Sequence, residues 1–169
     1  RRFLRIVAEG LGAPSSFFDA MTKDGATLTR AIHYPAMSGA PRAGHVWAAA
    51  HGDINLVTAL PRATAKGLEV KTGEGWIPVS PPPGHAVLNT GMMLEHISNG
   101  RLPTGLHRVV AGPGQVGERL SVVQFCHPTP DTILRPLPCC VDETTPARFE
   151  AVAASDWLDA VLREIGLDN

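Results

Sequence analysis

A chain of 169 residues is long enough for one domain with a sizeable core. Fifteen basic against sixteen acidic residues leave a formal net charge of −1, which gives no electrostatic attraction to nucleic acid or to an anionic membrane surface. Apolar residues make up 44% without any long apolar run, so no transmembrane span is indicated.

Phe3, Leu4, Ile6 and Val7 recur at helical spacing, so the chain opens inside an amphipathic helix. No start signal stands ahead of that helix, which leads us to expect residues upstream, and the stretch lacks the cleavage site of a signal peptide. A second short helix is expected after Pro14, with Ser15 or Ser16 as its N-cap. Short strands follow, the first over 27–34, ending at Tyr34 before Pro35. After a loop at 36–44, strands are expected at 45–53 and 55–61, then a hairpin of 67–70 and 76–79. Further strands are read at 85–91, 105–111 and 119–125, with turns or loops at 81–84, 98–100 and 112–117. Beyond the proline-rich stretch 127–138 the pattern changes. Phe149, Val152, Trp157, Val161, Leu162 and Ile165 predict a terminal amphipathic helix with Thr145 as N-cap and Pro146 at its first position. Short strands between Gly/Pro turns, with helices at both ends, indicate a mainly β protein with a jelly-roll or related barrel core. Cys126, Cys139 and Cys140 are odd in number and two are adjacent, which makes no disulfide framework and points to a reducing cytoplasm.

The stretch HGDINLVTAL, from His51 to Leu60, carries the chemistry. On a strand, His51 and Asp53 share a face while Gly52 turns away. Alone, such a pair is more readily a hydrogen-bonded strand end than a metal site. A third ligand has to come from elsewhere, and His33, His45, His85, His96, His107 and His127 are the candidates. His107 stands out, because Leu106, Val109 and Val110 make its surroundings a strand on which Arg108 points the other way. Two imidazoles and one carboxylate form the facial set of non-haem Fe(II) oxygenases, which leaves positions open for other ligands. Arg119 and Ser121 are a second i, i+2 pair. The planar fork of an arginine matches a carboxylate, and serine adds a hydroxyl donor.

His51-x-Asp53, GLEV…GWIPV, VLNTG, SNGRLPTGLHRVV and Arg119-x-Ser121, in this order and spacing, resemble the isopenicillin-N-synthase-like family of Fe(II)/2-oxoglutarate-dependent dioxygenases. The resemblance spans about residues 27 to 138. It implies a double-stranded β-helix over 27–140, a helical lead-in at 1–26 that ends a longer N-terminal region, and a helical segment at 141–169. It implies His51, Asp53 and His107 as iron ligands, and Arg119 and Ser121 as the holders of the distal carboxylate of 2-oxoglutarate. Tyr34, the single tyrosine, matches a residue whose hydroxyl reaches that carboxylate. The implied activity uses Fe(II), 2-oxoglutarate and O2 to oxidise a small molecule, by hydroxylation as the default outcome. Three departures stand against the family pattern. Met92 replaces an acidic residue that serves mainly as a structural hydrogen-bonder, Ile32 replaces an asparagine, and the long N-terminal region is absent. An iron oxidase that does not use 2-oxoglutarate, a non-catalytic jelly-roll binding module and a zinc hydrolase are the rival readings; the last gives Arg119 and Ser121 no role.

Among other residues, His33 and His45 are expected on the rim of the site. Phe125 is expected in the core or the pocket wall, and Asn55 as a turn residue or a support for a ligand. Neither substrate nor oligomeric state is legible.

Overall fold

The computed structural model describes residues 2–39, 46–61, 63–112 and 114–166. Helix α1 (Arg2–Leu11) buries Leu4, Ala8 and Leu11, which recur every three or four residues and so form one apolar stripe. Gly12 ends it with φ 84°, and its N–H and that of Ala13 bond back to the carbonyls of Glu9 and Ala8 at 3.0 and 2.8 Å. This is a Schellman cap, which needs a left-handed residue that glycine adopts without steric cost. Helix α2 (Phe17–Thr22) follows, with Ser16 in the N-cap position but no hydrogen bond from its side chain.

The strands are β1 (Leu28–Tyr34), β2 (Val46–His51), β3 (Val57–Pro61), β4 (Leu68–Thr72), β5 (Gly75–Pro78), β6 (Ala86–Thr90), β7 (His107–Val110) and β8 (Arg119–Cys126). They form two four-stranded sheets, ordered β1-β8-β3-β6 and β2-β7-β4-β5, with every pairing antiparallel. Apart from the β4–β5 hairpin, the chain changes sheet between consecutive strands, which is the winding of a jelly roll. Strand β8 alternates strictly, with Arg119, Ser121 and Val123 buried and Leu120, Val122 and Gln124 exposed. Its polar inward positions line a lumen, while Leu120 and Val122 stay 45% and 47% exposed on the outer face.

The principal apolar core lies beside the barrel, not inside it. It joins Leu4, Ala8 and Leu11 of α1 and Phe18 of α2 to Met93, Leu94 and Ile97 of helix α3 (Met92–Ile97). Leu134 of strand β9 (Ile133–Leu134), which pairs with β10 (Val152–Ala153), completes it with Leu137 and Cys140. The sequence reading missed α3, a helix of six residues, too short to show a period.

The terminal helix α4 spans Ala154–Glu164, not a run from Pro146. The Asp142 carboxylate takes the N–H groups of Thr144 and Thr145 in a local turn. Asn99 then accepts from the Arg148 N–H and donates to the Pro146 carbonyl, at 2.8 and 3.1 Å. With its backbone groups taken by side chains, 146–150 has no need of helical bonds, and Phe149 stacks on His96 instead of lying on a helix.

Candidate metal centre

His51 ends β2 and His107 begins β7, and the two pair directly across the sheet. Their rings lie 4.3 Å apart between centroids. Asp53 is not on a strand, as the i, i+2 reading had it; β2 stops at His51 and Asp53 lies in the irregular stretch that follows. The convergence survives all the same. Each histidine places Nε2 4.0 Å from Oδ1 of Asp53, and one donor atom from each of the three lies within 4.8 Å of the others. Asp53 and His107 are each 7% exposed, whereas the His51 side chain is 49% exposed.

Backbone carbonyls favour one tautomer of each imidazole. Nδ1 of His51 sits 2.7 Å from the Ala49 carbonyl, and Nδ1 of His107 sits 3.0 Å from that of Gly105. A carbonyl only accepts, so a proton on Nδ1 satisfies both contacts, and a neutral ring of that tautomer offers its Nε2 lone pair on the side facing Asp53. Two neutral nitrogens and one carboxylate with free lone pairs fit a divalent first-row metal.

Asn89, on β6, holds this arrangement and was not singled out from sequence. Its Nδ2 donates to Oδ2 of Asp53 at 3.2 Å and to the Gly105 carbonyl at 3.1 Å, and it touches Nδ1 of His107 at 3.2 Å. The signal was present in VLNTG. Its glycine lies so close to Asn55 that any side chain there would collide with the Asn55 backbone, and a side chain at Gly105 would strike the Asn89 amide.

Arg119 and Ser121 lie on β8, and Tyr34 pairs with Arg119 from β1. All three line the same cavity as His51, Asp53 and His107, about 300 Å³ in volume. Arg119 is 5% exposed. Its Nε donates to the Ala65 carbonyl at 3.2 Å, and its guanidinium carbon stands 5.1 Å from the Tyr34 ring centroid. Its Nη1 is buried with no hydrogen-bond partner. Among the described residues no carboxylate pairs with it. Burial pushes the Arg119 pKa down, while Tyr34 opposes this. A buried cation with a bare donor is costly unless an anion answers it. The residues therefore fit a carboxylate ligand.

The other expected residues fall as follows. His33 lies on the opposite face of β1 from Tyr34 and pairs with Glu118 at 3.0 Å, away from the cavity. His45 lies outside the described residues. Phe125 lines the cavity. Asn55 is 1% exposed and donates to the Thr58 hydroxyl at 3.0 Å, which makes it a turn support rather than a partner of the ligands. Cys126, Cys139 and Cys140 are all reduced thiols. At the Met92 position the backbone N–H bonds the Asp53 carbonyl at 2.8 Å, so a main-chain bond joins α3 to the ligand loop without an acidic side chain.

The fold and the donor set define a metal-binding jelly roll. The sequence profile of the 2OG-Fe(II) oxygenase superfamily matches residues 26–128, and the chain belongs to that family. Mugineic-acid 3-dioxygenase of Hordeum vulgare is 31% identical over 154 residues, covering 91% of this chain and 44% of that protein. A solved 2OG-Fe(II) oxygenase family protein from Caulobacter crescentus superposes with a TM-score of 0.88 at 38% identity, covering 96% of this chain and 53% of that one. A full-length Neurospora crassa protein, solved in complex with alpha-KG and thymine, gives a TM-score of 0.87 at 26% identity over 99% of this chain and 52% of its own. The chain thus spans about half the length of the relatives it matches.

Proposed function

We propose that this chain carries the catalytic core of an oxygenase that couples the oxidative decarboxylation of 2-oxoglutarate to the oxidation of a small organic substrate. In its default form the reaction is 2-oxoglutarate + O2 + R–H giving succinate + CO2 + R–OH. The observation that carries this reading is one cavity holding both the His51–Asp53–His107 donor cluster and the buried, unanswered Nη1 of Arg119. A metal site alone would not need the arginine, and an arginine site alone would not need three ligands.

Bound Fe(II) would supply the redox chemistry with O2. His51 and His107 would hold it through Nε2, and the Asp53 carboxylate would offset one of its two charges. Asn89 keeps Asp53 and His107 in register, since it donates to Asp53 and to the Gly105 carbonyl that also takes Nδ1 of His107. Arg119, Ser121 and the Tyr34 hydroxyl would grip the far carboxylate of 2-oxoglutarate, leaving its keto-acid end toward the metal. Residues 27–140 make up this oxygenase unit, with helical segments before and after it. A small-molecule substrate accords with the thymine held by the Neurospora relative. A net charge of −1 gives nucleic acid no hold, and the three thiols suit a reducing cytoplasm.

The test is an anaerobic titration with Fe(II) and then 2-oxoglutarate. A weak visible charge-transfer band on adding the keto acid, and succinate on admitting air, are the expected results. Iron bound with neither band nor succinate would overturn the 2-oxoglutarate assignment.

A further inference from the structure

The cavity has a second cation that the reading above does not use. On β1, Leu28, Arg30, Ile32 and Tyr34 share one face, since alternate residues of a strand point the same way, and the last three line the cavity. Arg30 lines the cavity and is itself exposed, four residues or about 13 Å along the strand from Tyr34. It pairs across the sheet with buried Val123, two positions beyond Ser121. Its guanidinium carbon lies 5.6 Å from the Phe125 ring centroid. Among the described residues no carboxylate answers it. Leu60, Pro61 and Phe125 line the same cavity and are apolar.

Arg30 is exposed, so its charge stays solvated and free to meet a ligand. A strand position whose neighbours on the same face are leucine and isoleucine has no packing use for a charge. The two arginines therefore divide the cavity. Arg119, buried at one end beside Tyr34, suits the cosubstrate, and Arg30, exposed at the other, faces whatever enters next. We propose that Arg30 is the substrate anchor and that the substrate is an apolar monocarboxylic acid. This rests on the oxygenase reading and extends it to substrate class. Among the described lining residues Arg30 and Arg119 are the only cations, so one charge is left for the substrate once the cosubstrate is bound. One guanidinium matches a carboxylate in charge and shape, whereas a phosphate dianion would keep a charge unanswered. Phe125, within cation–π range of the guanidinium, offers an aromatic or alkyl body an apolar neighbour beside the charge.

The experiment uses matched pairs of aryl and alkyl acetic acids and their amides. Binding is read by ligand-observed NMR, with Zn(II) standing in for iron and 2-oxoglutarate saturating. At least one acid should bind about tenfold more tightly than its amide. Arg30→Gln should bring that acid down to the affinity of its amide, and Arg30→Lys should keep part of the preference. No acid preference in the wild-type protein, or a preference that survives Arg30→Gln, would overturn the proposal. So would a matched phosphate monoester that outbinds the acid. The 2-oxoglutarate signals in the same samples report on the cosubstrate site. Their failure to show binding would count against the oxygenase reading, whereas cosubstrate binding without acid preference would count against Arg30 alone.

Discussion

The protein has two buried regions of opposite character. Under α1, α2, α3 and β9, Leu4, Phe18, Met93, Leu94, Ile97 and Leu134 are each at most 2% exposed and form one apolar cluster. In the lumen between the sheets, Asp53, Asn89, His107, Arg119 and Ser121 are each at most 9% exposed, and all are polar. The first region follows the rule that burial of apolar area drives folding. The second breaks it, and the buried Nη1 of Arg119 is left without a partner. Stability and function are therefore separable here. The apolar region holds the jelly roll together, and the proposed function gives the buried charge of the lumen its use.

Breaking the apolar region should have the largest effect on folding. Leu94, fully buried on α3, loses its packing in Leu94→Ala, which is expected to cost about 2–5 kcal/mol in urea unfolding. The three donor residues lie outside that cluster, so whatever fraction stays folded should bind metal as the wild type does. A fall in metal affinity as large as the fall in stability would show that the two regions are one unit.

Breaking the frame of the metal site should invert that balance. Asn89→Ala removes the donor shared by Asp53 and the Gly105 carbonyl. Metal affinity should drop about 10- to 100-fold, the usual effect of losing a group that orients ligands. Unfolding should shift by only about 1 kcal/mol. Equilibrium metal titration and urea unfolding of the same variant check both.

The smallest effect concerns pH. Nε2 of His96 donates to the Glu150 carbonyl at 2.7 Å, its ring lies stacked on Phe149, and Nδ1 has no partner. Burial holds its pKa below the ordinary value of 6.5. The unfolded chain therefore takes up a proton near pH 6.5 that the folded chain refuses. Its contribution to stability should be complete above that pH and decline as pH falls below it. In metal-free protein, His96→Phe should flatten the change in urea midpoint between about pH 7.5 and 5.5. An equal change in both proteins would remove His96 as a source.

Much of this division was legible in the sequence. The alternation of RLSVVQF put Arg119 and Ser121 on the inward face, and the strand context of His107 singled it out as the candidate third ligand beside His51 and Asp53. The elements missed or misplaced were those fixed by tertiary contacts. Helix α3 has six residues, and its anchors to the Asp53 loop and to the 134–140 segment are distant in sequence. The start of α4 was misread because Pro146 after Thr145 mimics a helix start, while Asn99, nearly fifty residues away, holds that segment extended. Asn89 was overlooked because its partners, Asp53 and His107, flank it at separations of 36 and 18 residues.

The most direct test of the separation is Arg119→Met, with urea unfolding and 2-oxoglutarate binding measured on the same preparation. The account predicts that cosubstrate binding is lost while stability holds or rises by about 1 kcal/mol, because an unanswered buried charge gives way to an apolar side chain. A variant that keeps its 2-oxoglutarate affinity, or that loses several kcal/mol of stability, would contradict it.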